Sequence, residues 1–175
     1  MMRTSAWRGG VLCISLAALL ASGRTETQPA KGPPPARKIP GITAKDEYPN
    51  GCVDCHINYV EMKRDTRFST LMNLWSGKVG SKLLAKAEAS APQGMTLKGK
   101  HPKAGGVLKD IPAKCLPCHG KSSKTSPPFG ELIHVIHLTG GGENQFLTMF
   151  QGECTHCHKL NPKTGHWTMP SAPEK

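Results

Sequence analysis

The pattern Cys-x-x-Cys-His occurs three times in this chain, as Cys52-Val-Asp-Cys55-His56, Cys115-Leu-Pro-Cys118-His119 and Cys154-Thr-His-Cys157-His158. Of the seven cysteines, only Cys13 falls outside these pairs. Two thiols three positions apart can each form a thioether to one vinyl group of a single haem, and the adjoining imidazole then reaches the iron. Rival uses of paired cysteines explain less. A zinc ribbon pairs two such motifs around one tetrahedral ion and would strand the third. A disulfide across two residues gains little stability and gives no reason for a histidine after every second cysteine. A thioredoxin-like dithiol belongs with a βαβ unit, of which the sequence shows no sign. The expectation is three covalently bound haem c groups, held by Cys52, Cys55, Cys115, Cys118, Cys154 and Cys157, with His56, His119 and His158 as proximal ligands.

Composition points the same way. Aromatic residues make up 5% of the 175 and hydrophobic residues 37%, against 19 Gly and 15 Pro. A small chain with so little apolar material usually needs disulfides, metals or cofactors to hold together.

The first 23 residues read as an export signal. Arg3 and Arg8 form a positive start, Val11 to Ala21 is an apolar run broken only by Ser15, and Ala21-Ser22-Gly23 offers small residues for cleavage. The run is too short to span a bilayer, which takes about 20 apolar residues. Cys13 sits inside the run and not at its end, so it is read as a signal residue and not a lipid anchor. Export agrees with covalent haem attachment, and the expected location is the periplasm after cleavage behind Gly23, with membrane association the alternative if the segment is retained as an uncleaved anchor. Removing residues 1–23 leaves 21 basic residues against 12 acidic ones. Without a long Lys/Arg run interleaved with aromatics, this charge does not predict nucleic-acid binding. It suits the steering of an acidic redox partner.

Residues 24–41 are Pro-rich and read as an extended tether, so the folded domain is expected over 42–175. Phe68, Leu71, Met72 and Trp75 recur at i, i+3, i+4 and i+7, the spacing of one helical face. Ser81 opens a run of strong helix formers that ends before Pro92. Shorter helices are expected over 130–138 and 145–150, separated by Gly140-Gly141-Gly142 and by the Ser/Lys/Pro stretch 121–128. No alternating strand pattern stands out. The predicted fold class is mainly α with extensive irregular loops, a small multihaem fold wrapped around its cofactors.

The sixth ligand of each iron separates a carrier from an enzyme. Five histidines lie outside the proximal positions: His101, His134, His137, His156 and His166. His134 and His137 are three apart on a predicted helix, about 60° apart around it and roughly 4.5 Å along the axis. Such a pair can present imidazoles to two neighbouring haems. His101, in the loop Lys98-Gly-Lys-His-Pro102, is the choice for the third distal ligand, with His166 and Met169 as competitors. His156 lies between two thioether cysteines and is set aside. Met62, Met72 and Met149 are read as packing residues.

His134-Val-Ile-His137 followed by Cys154-Thr-His-Cys157-His158-Lys159 resembles the His-x-x-His … Cys-x-x-Cys-His-Lys arrangement of the class III, tetrahaem-type multihaem cytochromes. The resemblance covers roughly Phe129 to Lys159 and the other two haem motifs. It departs from that pattern in the long segment Thr139 to Glu153, in the long helical region 57–114 and in having three motifs. It implies bis-histidine haems, with His134 and His137 serving two of them, in a low-potential periplasmic electron carrier. Six-coordinate iron offers no open position to a substrate, so the expected function is electron transfer and not enzymatic catalysis. Expected partners are redox proteins: a membrane quinol-linked donor and a terminal reductase or outer-membrane conduit. Two alternatives stay open. One haem could lack its sixth ligand and reduce a small oxyanion or nitrogen oxide, or the chain could be a fixed wiring subunit of a membrane-associated complex.

Overall fold

The computed structural model describes Gly32 and residues 35–175. The expected signal peptide at 1–23, with Cys13, and the expected tether at 24–31, 33 and 34 lie outside the described residues.

Residues Arg37–Lys175 form one compact unit. It takes in 37–41, at the end of the expected tether. The Ile39 carbonyl accepts from the amides of Ile42, Thr43 and Ala44 at 3.0, 2.9 and 3.1 Å, and Arg37 pairs with Glu153. The unit is mainly helical, with long irregular connections. Its helices are α1 (Cys52–Cys55), α2 (Phe68–Gly77), α3 (Ser81–Ala89), α4 (Leu116–His119), α5 (Phe129–Leu138) and α6 (Gln145–Met149). Short 3-10 turns lie between them.

Four of these helices, α2, α3, α5 and α6, fall where the apolar spacing and the breakers put them, to within two residues at each end, whereas the single turns α1 and α4 within the cysteine motifs were not expected. Two small antiparallel ladders were not expected: β1 (Asn58–Tyr59) with β2 (Arg64–Asp65), and β3 (Lys159–Leu160) with β4 (Trp167–Thr168). Each strand is two residues long, too short for a period-2 pattern to register. Each ladder directly follows a Cys-x-x-Cys-His motif and folds the chain back towards it.

The termini of the functional helices are held from a distance. The Ser69 amide at the start of α2 donates to Glu174 Oε2 at 2.7 Å. At the other end of α5, Lys86 Nζ on α3 donates to the carbonyls of Ile136 and Thr139 at 3.0 and 2.9 Å. Asn144 Nδ2 reaches the same two carbonyls at 3.0 and 2.7 Å, while its Oδ1 accepts from the Phe146 amide at 3.0 Å. One side chain thereby closes α5 and caps α6, supplying partners to groups that helix ends otherwise leave unpaired.

The C-terminal segment straps the unit together. Ile111 and Ala172 exchange backbone hydrogen bonds at 2.8 and 3.0 Å, the Glu174 amide donates to Leu108 at 3.0 Å, and Lys175 pairs with Asp54. Pro170 packs on Gly51, immediately before the first motif. Gly51 has φ +64°, and a Cβ there would lie 3.1 Å from Pro170 Cγ, so both backbone and space require glycine. Among the described residues the fully buried apolar side chains are Val53 and Ile111. Met62 and Met149, expected as packing residues, are exposed.

Asn144→Ala is expected to cost about 1–2 kcal/mol in thermal unfolding, since it uncaps two helices at once. Lys82→Ala, which removes only the fully exposed pair with Glu143, is expected to leave the melting temperature nearly unchanged.

Candidate functional site

Each motif histidine faces one histidine from elsewhere in the chain. The His56 and His137 ring centres are 6.1 Å apart, those of His119 and His101 6.0 Å, and those of His158 and His134 6.0 Å. An imidazole nitrogen sits about 2.0 Å from a bound first-row metal, and each ring centre lies roughly 1 Å beyond its nitrogen. Two imidazoles on opposite sides of one metal atom therefore place their ring centres about 6 Å apart. All three pairs have that spacing.

Second contacts fix which nitrogen of each ring is left free. His56 Nδ1 lies 2.8 Å from the Thr66 carbonyl, His119 Nδ1 2.8 Å from the Pro127 carbonyl and His137 Nδ1 3.0 Å from the Ile133 carbonyl. His101 Nδ1 lies 2.7 Å from the Pro102 carbonyl. A carbonyl only accepts, so in each case Nδ1 carries the proton and Nε2 keeps its lone pair. That is the usual outer support of a ligating histidine. Burial pushes the His56 imidazole down to about 4, against the pull of the Thr66 carbonyl, and also lowers His119 and His137. These rings are neutral at pH 7, the form that binds a metal.

Local folding explains the supports. After the first motif, β1 and β2 turn the chain back through Lys63, which adopts a left-handed φ of +50°. The Thr66 amide and hydroxyl then both donate to the Ile57 carbonyl, at 3.0 and 2.9 Å, and the Thr66 carbonyl is left facing His56. Phe68, at the start of α2, stacks on His56 with ring centres 4.3 Å apart, and Phe146 meets His137 edge-on at 5.4 Å. The loop carrying His101 is pinned by the His101 amide donating to the Trp75 carbonyl at 2.8 Å.

No disulfide joins any of the six motif cysteines. Burial pushes Cys52 up to about 12 and Cys55 up to about 11, with the nearby Cys157 thiol adding to both. Burial also raises Cys115 and Cys157. Such thiols are neutral at pH 7, unlike the thiolates of a dithiol exchange site. Among the described residues no three His, Cys, Asp or Glu side chains converge as a metal site, whereas a tetrahedral zinc site needs four donors. The pattern is three two-imidazole sites, each with a cysteine pair beside it. Such a donor set fits an iron whose four equatorial positions come from a porphyrin. A largely apolar cleft runs between two of the sites. Cys52, Cys154, Cys157, His134, His137 and His158 line it together with Phe129, Ile133, Leu138, Phe146 and Met169.

Of the remaining candidates, His166 is exposed on the β3–β4 turn, where its carbonyl accepts from the Asn161 amide at 2.9 Å. Met169 borders the cleft. His156 is buried and packs edge-on against Tyr48 at 4.6 Å. Sequence reasoning missed the carbonyls of Thr66, Pro127 and Ile133 and the rings of Phe68 and Phe146. A carbonyl acceptor has no residue signature; the aromatic spacing showed a helix but not what its face would meet. No family model, curated protein or solved structure matches the chain.

Asp65 orders the support of His56. It accepts from the Arg67 amide at 3.0 Å, Arg67 Nη2 at 2.7 Å and Thr70 Oγ1 at 2.7 Å. The Arg67 guanidinium, then the Thr70 hydroxyl, hold its carboxyl well below the ordinary 3.8. A depressed folded pKa stabilises above the unfolded value and is lost as pH falls below it. The melting temperature of Asp65→Asn should thus fall furthest below wild type at neutral pH, with the gap closing as the pH drops below 3.8.

Proposed function

We propose that this chain is an exported triheme c-type cytochrome that passes electrons between redox proteins. The observation that carries the reading is that every Cys-x-x-Cys-His histidine faces a second histidine at 6.0–6.1 Å. Haem, when bound, supplies a one-electron ferric/ferrous couple.

The residues divide the labour. Cys52 and Cys55, Cys115 and Cys118, and Cys154 and Cys157 would each hold one haem by thioether bonds. His56 with His137, His119 with His101, and His158 with His134 would hold the irons. Two imidazoles per iron leave no coordination position for a substrate, which favours a carrier over a reductase. His/His ligation also gives lower potentials than His/Met. The Nδ1 hydrogen bonds keep the imidazoles aimed, so little has to reorganise when an electron arrives or leaves.

α5 ties two of the sites to one rigid element, because His134 and His137 belong to different pairs. The Lys86 and Asn144 contacts that close this helix therefore fix the spacing of two redox centres. Phe68 and Phe146 cover the imidazoles of one pair and keep water from them. No helix among the described residues is long and apolar enough to cross a membrane. Periplasmic location rests on the export signal read in residues 1–23, and the partners on the function itself: a quinol-linked donor and a reductase or outer-membrane conduit.

The mature protein is expected to have the mass of the polypeptide plus three haems, to resist extraction of its colour by acidified solvent, and to be wholly low-spin and indifferent to carbon monoxide. His101→Ala should turn one haem in three high-spin and able to bind carbon monoxide. His134→Ala and His137→Ala should each do so for a different haem. A purified chain with the polypeptide mass alone would overturn the reading.

A further inference from the structure

The three motifs differ in what covers them. In the first, Val53 between the cysteines is fully buried, and in the third Thr155 and His156 are both buried. In the second, the intervening residues Leu116 and Pro117 are both exposed. The distal histidine of this site, His101, lies in an open groove with Lys98, Lys100 and Lys103. Lys114, Lys121 and Lys124, which flank the motif in sequence, are also exposed.

Charge is as uneven as cover. Residues 98–124 hold seven lysines and one acid, Asp110, which is bonded to Ser171. The other two motifs hold acids and bases together, and their acids are paired: Asp54 with Lys175, Asp65 with Arg67, Glu153 with Arg37 and Asp46 with Lys159, whereas none of the seven lysines of 98–124 forms an ion pair among the described residues. Electrons cross between proteins where a cofactor comes nearest the surface, and a local field of one sign selects and orients the partner.

We propose that the Cys115–His119 site is where electrons enter and leave, and that its lysine rim docks an acidic redox protein. The proposal rests on the haem reading above. A protein partner suits the surface better than an anionic membrane. The lysines sit on loops around a single exposed leucine and not on an amphipathic helix, the usual form of a membrane-surface anchor.

The test compares two holo-protein variants of equal charge change. One carries Lys98→Gln, Lys100→Gln and Lys103→Gln; the other carries Lys38→Gln, Lys45→Gln and Lys163→Gln, exposed lysines outside the groove. Each reduced protein is mixed with ferricyanide, which takes one electron per haem, and separately with cationic hexaammineruthenium(III). Binding of poly-L-glutamate is measured by calorimetry and of phosphatidylglycerol vesicles by sedimentation. At low ionic strength the first variant should react with ferricyanide about tenfold more slowly, react faster with the cation, and bind poly-L-glutamate about tenfold more weakly. The second should change each by less than about twofold. Equal effects from both variants in proteins with full haem content overturn this proposal alone. So does vesicle binding that depends on Lys98, Lys100 and Lys103 while poly-L-glutamate binding does not. A chain with no haem overturns the parent reading and this one with it.

Discussion

Three pairs of imidazoles, each with ring centres about 6 Å apart, organise the described part of this molecule. Burying a histidine costs free energy unless its polar atoms find partners. Four of the six rings satisfy Nδ1 with a backbone carbonyl, which leaves Nε2 as the atom in need of a partner. The gap between facing rings has the width of one coordinated metal atom. The helices, the two hairpins and the C-terminal strap make sense as devices for holding these six rings in place.

The chain does this with little apolar core. Val53 and Ile111 are fully buried, and most other apolar side chains are half-exposed or line the cleft between motifs. Precision comes from polar contacts made far along the sequence: Glu174 on the start of α2, Lys86 on the end of α5, Asn144 bridging α5 and α6, and Lys175 on Asp54. Each supplies a partner to a group that secondary structure leaves unpaired. A fold of this kind is stapled at its helix ends more than filled at its centre.

The surroundings of the three motifs are uneven. In two motifs the intervening residues are partly or wholly buried, and the acids near them are ion-paired. In the middle one the intervening residues are exposed, and the lysines around it are unpaired among the described residues.

Much of this was legible in the residues alone. The Cys-x-x-Cys-His repeats single out one histidine of each facing pair, because the motif lies within five consecutive residues. The i, i+3, i+4 pattern of Phe68 to Trp75 and the helix formers after Ser81 locate α2 and α3, since helical periodicity is also a local property. His134 and His137 stand out together for the same reason. The pairing of rings was not legible. That His101 and not His166 faces His119, and that His137 meets His56 while His134 meets His158, depends on how segments tens of residues apart come together. The two-residue ladders and the carbonyls of Thr66 and Pro127 escaped because backbone groups are alike at every position. Sequence determines chemistry that lies within a few residues; which distant imidazole completes each site is decided only when the chain folds and packs.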